Sequence, residues 1–139
     1  MHQESEFLHI ATLAAKKAGE IIRFYFDKGV DFEQKKDKTF ASIADNEAER
    51  AIREIILKKF PHHAFVGEEE GMVGNGKTIW HVDPLDGTSN FKNKIAYCCV
   101  SIGVEQEGKF IFGLIYNPFS DELFHAEEGK GAYQETFFQ

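Results

Sequence analysis

A chain of 139 residues with a formal net charge of −7 fits a single domain, and its acidity excludes the broad basic face that a nucleic-acid backbone requires. Hydrophobic residues make up 42% and Phe alone contributes 14, enough to form a core and to exclude a disordered chain. No apolar run reaches the roughly 18 residues of a membrane span, and the opening MHQESEF lacks the apolar stretch of a secretory leader. The expectation is a soluble cytoplasmic protein with neither membrane nor nucleic-acid partners.

Residues 4–27 set Phe7, Leu8, Ala11, Ala14, Ala15, Ala18, Ile21, Ile22 and Tyr25 at helical spacing, with Lys16, Lys17, Glu20 and Arg23 mostly opposite. This predicts an amphipathic helix that stops near Gly29. The charged segment VDFEQKKDKTFAS has no helical period and reads as a strand or an exposed loop. A second helix is expected from about Ser42 to Phe60, with Ala44, Ala48, Ala51, Ile52, Ile55 and Ile56 as its stripe and Pro61 as its stop. Ser42, with Asp45 three residues on, resembles a helix start.

From residue 63 the pattern changes to short apolar runs. HAFVG and TIWHV read as strands. Residues 95–104 alternate, with Ala96, Cys98, Val100, Ile102 and Val104 on one face and Ser101 and Gly103 on the other. FIFGLIY, ELFHA and AYQ follow, separated by EQEGK, NPFSD and EEGKG, and turns this short make antiparallel neighbours. The expected class is α+β: two helices packed on a mostly antiparallel sheet, in a single domain over residues 1–139. Cys98 and Cys99 are the only cysteines, and adjacent strand residues point to opposite faces. No bridge between them is expected, which fits a reducing compartment.

Two acidic stretches carry the chemistry. In HVDPLDGTSNF, Asp83 and Asp86 flank Pro84, with Gly87 and Thr88 directly after. Asp83 is expected at the end of the strand TIWHV, outside the ladder. Pro84 restricts the backbone and Gly87 permits a tight fold or a close ligand approach. A short helix starting near Thr88 would make the amides of Gly87, Thr88 and Ser89 an anion pocket. Taken alone, the string is equally an ordinary Pro/Gly turn with an Asp cap.

VGEEEG supplies the second stretch, where Glu68, Glu69 and Glu70 repel one another and no hairpin requires them. If HAFV and TIWHV lie side by side, Glu68, Asp83 and Asp86 converge on cations, and Asp83 can bridge two metals about 3.5–4 Å apart. Glu70 reads as solvated. His62 and His63 lack metal-ligand spacing to any partner.

KKD, SIADNEAE, FPHHAFVGEEEG, TIWHVDPLDGTSNF, CVSIGVEQEGKFIFGLIYNP and GKGAY together resemble the N-terminal half of the inositol monophosphatase family of metal-dependent, lithium-sensitive sugar phosphatases. GEE followed by DPLDGTSNF is the specific part. The resemblance implies the first domain of a layered αβαβα fold. It also implies Mg²⁺-dependent hydrolysis of a small phosphate monoester, inositol 1-phosphate or a related sugar phosphate, by metal-activated water. An intact site of this kind takes two or three Mg²⁺.

Position by position, the resemblance implies that Glu68 and Asp83, with the Leu85 carbonyl, hold a first Mg²⁺, and that Asp83 and Asp86 serve a second. Glu69 matches an acid near an additional metal or its water. Gly87, Thr88 and Ser89 would seat the phosphate, and the Thr88 hydroxyl, paired with Asp45, would orient or deprotonate the attacking water. Lys36 matches a basic loop residue close to the metals. Asp45 reads equally as a first-turn helix acid, Lys36 as a solvated side chain, and Ser89 as a helix-start residue.

The family continues into a second domain with a further metal-binding Asp in a WD-x-A-A-G-like segment, whereas here the only Trp is Trp80. That carboxylate is expected to be missing. Two readings follow: a phosphatase with an incomplete ligand set, or a catalytically incomplete remnant serving as a metal-binding or interaction module. The expected partners are a small phosphorylated sugar or polyol and either a second copy of the chain or the missing C-terminal half. A haloacid-dehalogenase-type phosphatase is rejected because its two Asp are separated by one residue, not two. An EF-hand fails for want of its ligand spacing.

Overall fold

The computed structural model describes residues 4–28, 39–68 and 71–137. Helix α1 spans Glu6–Phe26, and its buried face is the expected stripe, Leu8, Ala11, Ala14, Ala15, Ala18 and Ile22. Ser5 caps it: the Leu8 amide donates to Ser5 Oγ at 3.0 Å, satisfying one orphan donor of the first turn. Gly29, the expected stop, lies outside the described residues.

Helix α2 spans Phe40–Lys59 and so begins before Ser42. The cap is Thr39, whose Oγ1 accepts the Ser42 amide at 3.0 Å, and Ser42 itself stands inside the first turn. The run of charges before Thr39 hid this start, and residues 30–38 of it lie outside the described residues. The two helices pack on each other through small side chains: Ala11, Ala14, Ala15 and Ala18 of one, Ala41, Ala44 and Ala48 of the other, all buried. Alanine faces allow the axes to approach closely.

Seven strands follow: β1 (Ala64–Gly67), β2 (Gly71–Val73), β3 (Thr78–Asp86), β4 (Cys99–Gln106), β5 (Lys109–Asn117), β6 (Glu122–Glu127) and β7 (Gly131–Thr136), with α3 (Thr88–Lys92) between β3 and β4. They form one sheet in the order β2-β1-β3-β4-β5-β6-β7. Every pair is antiparallel except β1 and β3, which run parallel because β2 turns the chain back between them. Strand β2, three residues long, was not expected from the sequence. Strand β4 begins at Cys99, so Ala96 is exposed and outside it, whereas Cys98, Val100, Ile102 and Val104 are buried as expected.

Both long helices cover the same face of the sheet. Helix α1 lies on β4 and β5, and α2 lies on β3 and β1. The buried Trp80, Val82, Val100, Ile102, Val104, Phe112, Leu114 and Tyr116 point toward them. The other face is uncovered. His81, Ser101, Gly103, Phe110, Ile115 and Phe124 line a groove of about 1290 Å³ there, and Phe110 is 60% exposed. Small-molecule pockets usually measure about 300–1,000 Å³, so this is an open layer surface and not a ligand cleft. Among the described residues no helix is long and apolar enough to cross a membrane.

Gly19 shows how tightly α1 meets the sheet. A Cβ there would lie 2.8 Å from Tyr116 Cε2 and 2.9 Å from Pro118 Cβ. Replacing a helical Gly by Ala favours the helix by about 1 kcal/mol. Overpacking costs about 1–3 kcal/mol, and here the obstacles are a buried ring and a proline. Overpacking therefore wins, and Gly19→Ala is expected to lower stability by about 1 kcal/mol net. The check is the urea midpoint at unchanged slope; a raised midpoint would mean that the contact yields.

Candidate functional site

Asp83 and Asp86 belong to β3 itself, which extends past TIWHV to Asp86. The expectation that Asp83 stands beyond the ladder is corrected: it pairs with Ser101 of β4, while Asp86 pairs with Cys99. Three steps along β3 thus match two along β4. In a regular strand, residues three apart face opposite sides of the sheet. The extra residue is a β-bulge, and it returns both carboxylates to one side. Pro84 lies within it, where a strand flanked on both edges tolerates a missing N–H. That side is the uncovered one, since His81 and Ser101 line the open groove while Trp80 and Val82 point to the helices.

The electrostatics agree with this placement. Burial pushes the Asp83 carboxyl above its ordinary pKa, the nearby Asp86 charge pushes it further, and the Leu85 amide, 3.3 Å from Oδ1, opposes both. The Cys99 thiol lies 3.8 Å from Asp86 Oδ2. Its pKa is raised to about 11, first by burial and then by the charges of Asp86 and Asp83. Two carboxylates held together with partial burial favour a compensating cation.

Past the bulge the chain enters α3 at Thr88, as expected. Gly87 precedes it with φ +99°, a conformation L side chains rarely adopt, and an added Cβ would stand 3.2 Å from the Tyr97 carbonyl oxygen. Asn90 fixes the far side of this turn by donating from Nδ2 to the Tyr97 carbonyl at 2.9 Å. The Thr88 hydroxyl donates to the Leu85 carbonyl at 3.3 Å. That carbonyl retains a lone pair for a further partner. Ser89 is exposed, and its carbonyl accepts from Asn93 Nδ2 at 2.8 Å. Helix α2, which carries Asp45, packs on α3, which carries Thr88.

β1 reaches the site from the other side of β3. Its parallel register ends at Val66↔His81, and Glu68 follows in the turn two residues on. Glu68 is exposed, in the turn directly after β1. Among the described residues no group of three or more of His, Cys, Asp and Glu is placed to hold a metal ion, so the expected convergence of Glu68 with Asp83 and Asp86 is not seen. Glu69, Glu70 and Lys36 lie outside the described residues. His63 takes no part: its Nδ1 accepts from Trp80 Nε1 at 2.9 Å, which makes it a core partner.

One residue went unnoticed in the sequence. Glu49 of α2 is 2% exposed, and its Oε1 accepts the Glu68 amide at 2.8 Å. The signal was present: Glu49 falls between Ala48 and Ile52 on the apolar stripe, one turn after Asp45.

The Asp83 and Asp86 carboxylates and the Leu85 carbonyl are hard oxygens, and the Asp83–Asp86 repulsion is of the kind a divalent cation relieves. This set fits Mg²⁺ better than a soft metal.

Comparison with known proteins places this geometry. The sequence pattern of the inositol monophosphatase family matches residues 3–139. Inositol monophosphatase 2 of Solanum lycopersicum is 42% identical over 92% of the chain and 51% of its own length. The fructose-1,6-bisphosphatase/inositol-1-monophosphatase of Aquifex aeolicus is 38% identical over 96% of the chain and 52% of its own length. The crystal structure of extragenic suppressor protein suhB from Bartonella henselae superposes with a TM-score of 0.82 at 37% identity, covering 94% of this chain and 51% of that one. The chain spans about half the length of the relatives it matches.

Proposed function

Since the chain belongs to the inositol monophosphatase family, we propose that residues 1–139 form the metal- and phosphate-binding domain of a phosphatase acting on a small phosphate monoester, inositol 1-phosphate or a related sugar phosphate. The observation that carries this reading is the bulge in β3, which places Asp83 and Asp86 on one face immediately before the Gly87–Thr88 helix start.

In this mechanism Glu68, Asp83 and the Leu85 carbonyl would hold one Mg²⁺, Asp83 and Asp86 would contribute to a second, and Glu69 would serve a third or its water. Bound Mg²⁺ supplies charge neutralisation at the phosphoryl oxygens and lowers the pKa of water. The amides of Gly87, Thr88 and Ser89 seat the phosphate, drawing on the partial positive charge where a helix begins. With its proton donated to the Leu85 carbonyl, the Thr88 oxygen presents lone pairs that orient the attacking water. Asp45, on the neighbouring α2, would accept a proton from that water alongside Thr88, and Lys36 would add positive charge. The free thiols of Cys98 and Cys99 suit a cytoplasmic setting.

The uncovered apolar sheet face favours a second reading, a remnant that binds metal or a partner without turnover. In either case the apolar sheet face calls for a covering layer, from a second copy or from the C-terminal half. Phosphate release from a panel of sugar phosphates separates the two. Turnover that requires Mg²⁺, stops in EDTA and falls with Li⁺ is expected of the phosphatase. Turnover that persists in EDTA would contradict the mechanism, and none in any metal would favour the second reading.

A further inference from the structure

We propose that Glu49 is a positioning residue that fixes Glu68, at the end of β1, for the metal site, an inference that rests on the metal-site reading above. A buried carboxylate is expensive unless it is hydrogen-bonded, and an apolar side chain would continue the α2 stripe at no such cost. Packing alone therefore does not call for Glu at this position.

Two observations tie it to the end of β1. The Glu68 amide donates to Glu49 Oε1 at 2.8 Å, a bond strengthened by the acceptor's charge. Gly67 is pressed against the same group: a Cβ there would meet Glu49 Cδ at 2.4 Å, Oε2 at 2.6 Å and Oε1 at 2.7 Å. β1 thus ends by closing its backbone onto one buried carboxylate. The direction in which Glu68 leaves the strand is set by that closure and not by the exposed Glu68 side chain. Helix α2 carries Asp45 and Glu49 one turn apart, so the element that packs on α3 also holds the Glu68 turn.

The test is calorimetric titration of the full chain with Mg²⁺ alone, using Glu49→Ala, Glu68→Ala and their combination, with circular dichroism as the folding control. Partners that orient a ligand typically contribute about 10–100-fold in metal affinity. Glu49→Ala is expected to weaken Mg²⁺ binding by about that range, and Gly67→Ala to reproduce it by displacing the carboxylate. Glu49→Gln, which keeps a neutral acceptor, is expected to recover most of the affinity. In the Glu68→Ala background, Glu49→Ala should cost nothing further.

Equal losses in both backgrounds would make Glu49 a general structural residue and overturn the proposal. So would an unchanged affinity in Glu49→Ala alongside a loss in Glu68→Ala, with the metal-site reading left standing. An unchanged affinity in Glu68→Ala would remove that reading and this inference together. If Glu49→Ala does not fold, Glu49→Asp, one methylene shorter, takes its place in the same cycle.

Discussion

Asp83→Asn is expected to abolish Mg²⁺-dependent phosphate release while leaving the metal-free fold as stable as before, or more so. The substitution keeps the shape and removes the charge that a divalent cation needs. The stability half follows from linkage. Burial and the Asp86 charge raise the Asp83 pKa in the fold above its reference of 3.8, so the folded state holds this proton more tightly than the unfolded chain does. Stability from this group is then fully present below 3.8 and is lost as pH rises through the folded value. Near neutral pH the ionised Asp83 opposes folding, and Asn removes that opposition. In EDTA the variant should melt at or above the parent temperature at pH 7, with the difference vanishing in acid. Added Mg²⁺ should raise the melting temperature of the parent by mass action and leave the variant unmoved. A variant that keeps Mg²⁺-dependent turnover, or melts well below the parent at pH 7, would show that the residue is an ordinary strand position.

The largest loss of stability is expected from Trp80→Ala, about 3–5 kcal/mol, a large part of the roughly 5–15 kcal/mol available to a domain. Trp80 is fully buried on β3, edge-on to Phe7 and stacked near Phe60, with ring centroids 5.7 Å away in both cases. Its indole N–H donates to His63 Nδ1, which requires that nitrogen to be unprotonated. Burial and the neighbouring His62 lower the His63 pKa below 6.5, in agreement. This contribution is therefore present above 6.5 and fades as pH falls through the lowered folded value. Trp80→Phe keeps most of the ring contacts and should cost about 1–2 kcal/mol, chiefly the hydrogen bond and a small void. Urea unfolding measures both. A cost below about 1 kcal/mol for Ala would mean that the helices do not depend on this cluster.

Where sequence and structure agree, the reason is local periodicity. The α1 stripe from Leu8 to Ile22, the alternation of Val100, Ile102 and Val104, and the turns at Glu107–Gly108 and Asn117–Asp121 are each set by residues close in the chain. Where they differ, the cause is non-local. The start of α2 depends on one hydroxyl at the end of a charged run. The length of β3 depends on β4, because only the mispaired step between Asp83 and Asp86 lets a strand continue through Pro84. Strand β2 is too short to carry a pattern and exists by pairing with β1. The acids were legible as a motif, and so was the helix at Thr88. The convergence of Asp83 and Asp86 was expected, but not the in-strand bulge that achieves it, since in a regular strand their spacing assigns them to opposite faces. Glu49 was hidden because a glutamate among charged helix residues reads as solvated, and only the backbone of Gly67 and Glu68 shows what it holds.

Placing the paired carboxylates on the uncovered side of the sheet has a thermodynamic corollary. A layer resting on Phe110, Ile115 and Phe124 would also roof Asp83 and Asp86, whose side of the sheet it would share. Sealing that surface and capturing an ion are then reciprocal events: whatever factor the roof contributes to ion affinity, the ion returns to the grip on the roof. On the proposed reading, assembly of the layers would respond to dissolved magnesium.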